Sequence, residues 1–169
     1  RCNFRCGFCA RRTRKVQPKG DMPLEFFKRI TQEMKDAGVQ EIGCFYLGES
    51  CTAPDLLVDA IKHCKDIGFP YVFLTTNGSL MTPELAERCM AAGLDSMKFS
   101  INAADRTQFM EVMAVKGSLF TQALNHLMRA REVRDAGGYK CGIYASSIRY
   151  DGEQQEKMKS ELHADPSMG

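Results

Sequence analysis

The sequence contains no tryptophan, only three histidines and no large excess of either charge, its formal net charge being +2. That balance gives no general electrostatic drive toward nucleic acid or an anionic membrane. No apolar run approaches the ~18 residues of a membrane span, and no charged n-region precedes an apolar h-region. A Ser/His/Asp constellation and a G-x-x-x-x-G-K-S/T phosphate loop are both missing, so neither competes for a function. What remains is 169 residues, 44% hydrophobic, enough for one globular domain with a sizeable core.

Cysteine, by contrast, is plentiful, with eight residues. In a short secreted chain that count reads as a disulfide framework. Here the chain is long and rich in helical patterns, which favours a reducing cytoplasm. Cys2, Cys6 and Cys9 fall at C-x3-C-x2-C spacing within one short loop, close enough for three sulfurs to converge on one inorganic centre. An ordinary iron–sulfur cluster takes four cysteines, and a structural zinc site is usually closed by four ligands. Three thiols therefore leave one iron with a position where a small molecule can bind. The alternative is a zinc-binding or electron-transfer module completed by a distant ligand such as His63, His126 or His163. Cys44, Cys64, Cys89 and Cys141 sit in strands or on apolar helix faces and read as core, whereas Cys51 follows Glu49 by two residues.

After the cysteines a basic run, Arg11 to Lys15, ends at Pro18-Lys19-Gly20. It reads as a solvated loop, or as a docking patch for an acidic electron donor or an anionic substrate. Pro23 opens a helix carrying Phe27, Ile30 and Met34, and Ala37-Gly38 stops it. A strand over Glu41–Leu47 leads to Gly48-Glu49-Ser50, and a helix from Pro54 buries Leu57, Ile61, Cys64 and Ile67 before Gly68. A strand over Tyr71–Thr76 ends at Asn77-Gly78. Thr82 caps a helix with Pro83 at its first position, carrying Leu85, Ala86, Cys89 and Met90 and stopping at Gly93. The third strand is Ser96–Asn102, followed by a connection from Ala103 to Gly117, a helix over Leu119–Ala136 stopped at Gly137, and a fourth strand over Lys140–Ile148. A polar helix over Gln154–Leu162 and a tail complete the chain, so residues 1–150 read as the core and 151–169 as a terminal extension. Four times a helix ends in glycine and turns into an apolar strand, which predicts βαβ crossovers and a parallel α/β sheet. Four strands are too few for a (β/α)8 barrel of ~250 residues. Either a three-quarter barrel or a doubly wound sheet accommodates them. A loop like that of the cysteines normally follows a strand, and Arg1 opens the sequence directly before it. The sequence thus reads as part of a longer chain, lacking its first strand.

The cysteine spacing, with Phe8 just before the third thiol, resembles the signature of the radical S-adenosylmethionine (SAM) superfamily. The resemblance implies a partial (β/α)6 barrel and a 4Fe–4S cluster held by Cys2, Cys6 and Cys9, whose open iron chelates SAM. It implies reductive cleavage of SAM to a 5′-deoxyadenosyl radical that abstracts hydrogen from a peptide or small metabolite, with electrons from a flavodoxin- or ferredoxin-type donor. Phe8 corresponds to a position near the adenine. Gly48-Glu49-Ser50 resembles the Gly-Gly-Glu segment that holds SAM's amino group, although Leu47 replaces the first glycine. Asn77 lies in a T-N-G match at the second strand end; alternatively it is only a turn residue. Ser100-Ile101-Asn102 matches a Ser-Ile-Asp segment near the ribose or carboxylate, with the charge lost. Where relatives place an arginine further on, this chain has Val112, with Arg106 or Lys116 as substitutes. Within the superfamily the pattern is similar to members carrying a SPASM-type extension.

Overall fold

Four strands, β1 (Glu41–Gly43), β2 (Tyr71–Thr76), β3 (Ser96–Ser100) and β4 (Gly142–Ser146), form one parallel sheet in the order β1-β2-β3-β4. Between and around them run α1 (Ala10–Thr13), α2 (Leu24–Asp36), α3 (Pro54–Asp66), α4 (Pro83–Ala91), α5 (Arg106–Met113) and α6 (Ser118–Gly137). This is a computed structural model that describes residues 1–13, 20–150, 152, 153 and 156. The end of the basic run and the expected helix over Gln154–Leu162 lie largely outside the described residues.

The strand order decides between the two architectures left open by the sequence. A doubly wound sheet reverses its strand order at a switch point. Here each helical crossover adds the next strand on the same side, as in a barrel wall. The helices form a continuous layer in which α2 packs on α3, α3 on α4 and α4 on α6. Val72, Leu74 and Thr76 of β2 and Met97 and Phe99 of β3 are buried in the core with Ile61, Cys64, Leu85, Cys89 and Ala123 from the helices. Full burial of each large apolar side chain contributes about 1.5–3 kcal/mol. The other face presents Tyr71, Phe73 and Thr75, half-buried, and exposed Lys98, which pairs in register with Thr75 and Tyr144.

Helix stops at Gly38, Gly68 and Gly93 match expectation, each with φ in the left-handed region that suits glycine. The fourth is displaced by one residue: Gly137 ends α6 and Gly138, at φ +66°, is its cap. β1 is shorter than the expected Glu41–Leu47. After Cys44 N–H bonds the Phe73 carbonyl at 2.9 Å, the chain leaves the ladder and stacks Phe45 edge-on against Phe73, centroids 5.6 Å apart. β3 and β4 likewise stop short of Asn102 and Ile148. Pro23 is the residue before α2 rather than its first.

Helix α5 was not anticipated within the Ala103–Gly117 connection. Its signal is nonetheless in the sequence, because Asp105 caps it by accepting the Gln108 N–H at 2.8 Å. A second, smaller core joins α5 to the N-terminal loop through Phe4, Ala103, Phe109 and Met113. Phe4 meets Phe109 edge-to-face with centroids 5.8 Å apart. This satellite core is what seats the cysteine loop against the sheet's carboxyl end.

Candidate active site

The loop carrying Cys2, Cys6 and Cys9 is tied down at several points by the protein itself. The Arg1 carbonyl accepts the Glu49 N–H at 2.8 Å, and the Gly7 N–H donates to the Val112 carbonyl at 2.8 Å. Val112, which stands where an arginine was sought, therefore serves through its backbone. Within the loop the Cys9 N–H closes a turn on the Cys6 carbonyl at 3.1 Å, and the Phe4 N–H points at Cys2 Sγ at 3.4 Å.

All eight cysteines are free thiols. Burial pushes the Cys6 thiol up to about 11, with Cys2 and Cys9 close enough to add to the shift. Cys2 is raised for the same first reason, with Glu49 and Cys9 also contributing. The three sulfurs are thus electrostatic neighbours on one turn. Among the described residues no three cysteine, histidine, aspartate or glutamate side chains already stand at ligating separation, so the thiols share a loop without being gathered to a point. Three soft thiols with no hard oxygen partner fit thiolate-held iron better than a hard cation. Of the histidines considered as distant zinc ligands, His126 Nδ1 bonds the Gly78 carbonyl at 2.7 Å, His63 sits on α3 edge-on against Phe27 with its buried Nε2 lacking a hydrogen-bond partner, and His163 lies outside the described residues.

Glu49, in the turn after β1, is buried at 4% exposure. Its Oε1 accepts the Thr76 hydroxyl at 2.8 Å and the Cys51 N–H at 3.1 Å, and its Oε2 accepts the Asn77 N–H at 2.7 Å. The carboxylate therefore staples the turn after β1 to the end of β2. Its neighbour Gly48 cannot carry a side chain, because a Cβ there would come 2.5 Å from the Arg1 carbonyl oxygen. The Ser50 hydroxyl donates inward to the Cys44 carbonyl at 2.8 Å. Cys51 is buried against Thr76, and burial raises its thiol, which agrees with a packing role.

Asn77 is more than a turn residue. Its Nδ2 reaches Asn3 Oδ1 at 3.0 Å, and its Oδ1 accepts both the Ser79 N–H at 3.0 Å and the Ser79 hydroxyl at 2.7 Å. Gly78 between them must be glycine, with φ +76° and Phe99 only 2.8 Å from where a Cβ would stand.

Asn102, 2% exposed and left-handed at φ +56°, joins the ends of β3 and β4. Its Nδ2 donates to Ser100 Oγ at 2.9 Å, its Oδ1 accepts the Ile148 N–H at 3.0 Å and its carbonyl accepts the Tyr150 hydroxyl at 2.9 Å. Phe8, 44% exposed, lies tilted against Tyr150 at 6.5 Å. Burial, then the nearby Cys6, pushes the Tyr150 phenol up to about 12. Arg106 reaches Thr121 Oγ1 at 3.4 Å rather than the loop. The structure thus brings Glu49, Asn77 and the cysteine loop together and links Phe8 to Asn102 through Tyr150. Sequence reasoning missed Asn3, Ser79 and Tyr150. Only their nearness to the cysteine and T-N-G motifs could have pointed to the first two.

A model of the radical SAM superfamily matches residues 1–159. The GTP 3′,8-cyclase of Synechococcus sp. is 32% identical over 139 residues, which cover 78% of this chain and 39% of that protein. The AdoMet-dependent heme synthase of Methanosarcina barkeri is 32% identical over 104 residues, 62% of this chain and 29% of that protein. The chain thus spans well under half the length of these curated relatives. The [FeFe]-hydrogenase maturase HydG superposes with a TM-score of 0.71 at 16% identity, covering 98% of this chain and 38% of that one. Streptococcus suis SuiB, solved with S-adenosylmethionine bound, gives a TM-score of 0.65 at 20% identity, covering 95% of this chain and 34% of that one. At such identities the superpositions speak to the fold.

Proposed function

The chain belongs to the radical SAM superfamily, and we propose that it forms the cluster- and SAM-binding part of an enzyme that abstracts hydrogen from a peptide or small metabolite. Members of this superfamily use a 4Fe–4S cluster and SAM as cofactors. Cys2, Cys6 and Cys9 would hold the cluster. When bound, it supplies the electron that cleaves SAM to methionine and a 5′-deoxyadenosyl radical. The observation that carries the reading is the position of the three-thiol turn, held beside Glu49 and Asn77 at the carboxyl end of a parallel sheet, where such folds bind ligands.

The chain's own groups have separable tasks. Gly48, Glu49 and Ser50 would hold SAM's amino group, and the Glu49 side chain holds that segment to β2. With three acceptor positions of its carboxylate already taken, about one remains for an ammonium. Ser100 and Asn77 line the rest of the SAM site, Asn102 acts through Ser100, and exposed Phe8 offers its ring to the adenine. Similar proteins range from a PqqA peptide cyclase to a GTP 3′,8-cyclase, which supports a peptide or small-molecule substrate. A flavodoxin- or ferredoxin-type protein would supply electrons, in keeping with a cytoplasmic setting. No described helix is long and apolar enough to cross a membrane.

Anaerobic, reduced full-length protein mixed with SAM tests this reading. It should release 5′-deoxyadenosine and methionine even without the true substrate, and Cys6→Ala should release neither. A loaded, reduced protein that binds SAM and yields neither product would favour an electron-transfer role instead.

A further inference from the structure

Asn3 lies between the first two cysteines, and its amide belongs to a closed ring of three side chains. Asn77 Nδ2 donates to Asn3 Oδ1 at 3.0 Å, Asn3 Nδ2 donates to Ser79 Oγ at 2.8 Å, and Ser79 Oγ donates to Asn77 Oδ1 at 2.7 Å. Every member gives one hydrogen bond and takes one, so the bonds run in a single direction and polarise one another. The direction is fixed from outside the ring. Asn77 Oδ1 also accepts the Ser79 backbone N–H at 3.0 Å, so the Asn77 amide nitrogen must face Asn3. That in turn sets the Asn3 oxygen toward Asn77 and its nitrogen toward Ser79.

The ring also rests on a rigid base. Ser79 is fully buried and Asn77 is 9% exposed. From α6, Gln122 Nε2 donates to the Ser79 carbonyl at 2.7 Å, while His126 Nδ1 pairs with the Gly78 carbonyl at 2.7 Å. A continuous path of hydrogen bonds therefore runs from α6 through the turn after β2 to the residue beside Cys2. It involves no thiol.

We infer that Asn3 is a positioning residue, which sets the cysteine loop in place before any cluster is loaded and so fixes how the loaded cluster meets SAM. The inference rests on the radical SAM reading of the loop. Asn3 needs no contact with SAM. It acts by holding the backbone on which Cys2 and Cys6 stand, and small misplacements of a reacting centre cost rate and affinity steeply.

The test uses full-length protein as parent, Asn3→Ala, Ser79→Ala and the double variant. In the metal-free state, amide hydrogen exchange of Gly7 and Cys9 should be about tenfold faster in each single variant. In the double variant it should be no faster than in Asn3→Ala, which by itself removes both of the bonds that Asn3 makes in the ring. After reconstitution, with iron and sulfide equal to the parent, each variant should bind SAM about five- to tenfold more weakly, the loss expected for one or two hydrogen bonds. The electron paramagnetic resonance signal of the reduced cluster should respond less to added SAM. Parent-like exchange and an unchanged SAM response in both single variants would overturn the inference, as would additive effects in the double variant. Should Asn3→Ala fail to fold, Ser79→Ala decides the matter alone. A parent that loads no iron–sulfur cluster would instead sink the proposed cluster-binding role of the loop, while the exchange measurement still judges the clamp.

Discussion

Glu49 and Thr76, at the ends of neighbouring strands, share a hydrogen bond of 2.8 Å closed off from water, and the same carboxylate takes the Asn77 N–H at 2.7 Å. Bonds to a buried charge are the strong class, about 1.5–3 kcal/mol each. Glu49→Gln keeps the shape but turns an acceptor into a donor facing the Thr76 hydroxyl or the Asn77 N–H. We expect it to lower stability by about 2–3 kcal/mol in urea unfolding and to weaken SAM binding by about tenfold or more, while cluster content stays at the parent level. Unchanged stability would mean that the staple carries no weight.

At Asn102 the backbone and the side chain pull in opposite directions under mutation. Its φ of +56° disfavours any residue with a Cβ, yet its amide joins Ser100 to Ile148. Asn102→Ala loses the side-chain bonds and keeps the backbone penalty, and should cost about 2–3 kcal/mol. Asn102→Gly relieves the backbone and should cost less. Asn102→Asp keeps the acceptor for the Ile148 N–H, and the Ser100 hydroxyl can turn to donate, so it should fall within about 1 kcal/mol of the parent. Thermal unfolding ranks the three, and an Ala variant as stable as the Asp variant would contradict the hub role.

Much of this arrangement was legible in the sequence. Glycine stops and apolar runs located the four helix-to-strand units, and the cysteine spacing located the loop. The strand ends were overread because Cys44 and Phe45 look like strand in a local window. Only the stacking of Phe45 on Phe73 shows where the ladder stops. The winding direction was open, since closure depends on which edge each strand joins. Asn3 and Asn77 stood in plain view beside recognised motifs, yet their partnership spans 74 residues, and no local pattern encodes it. Glu49 was correctly singled out, but its burial depends on Thr76 and Asn77 arriving from the next strand.

Three raised thiols, half-buried Cys6 and buried Cys89 and Cys141, weaken the fold toward high pH, against Cys64, whose thiol is lowered by its hydrogen bond with Cys44. Burial is the first cause raising Cys6 and Cys141 to about 11 and Cys89 to about 12, against an ordinary value of 9.0. Above about pH 9 the unfolded chain releases thiol protons that the folded chain retains, so the unfolded state binds fewer protons and stability falls as pH rises. Urea unfolding of the metal-free full-length protein should be flat from about pH 7 to 8 and then weaken progressively to about pH 11. Cys89→Ala should make the decline shallower. Stability that holds or rises across that range would contradict the burial described for these thiols.

The most direct measurement is of iron and acid-labile sulfide per chain in anaerobically prepared full-length protein, compared with Cys2→Ala, Cys6→Ala, Cys9→Ala and Cys64→Ala. Working by difference keeps any further cluster elsewhere in the protein out of the count. The three-thiol account predicts that each of the first three variants loses about four iron and four sulfide relative to the parent. Cys64→Ala, altered in the core of α3, should lose none. Iron and sulfide unchanged by all three loop variants, or stoichiometric zinc with no sulfide in the parent, would contradict it.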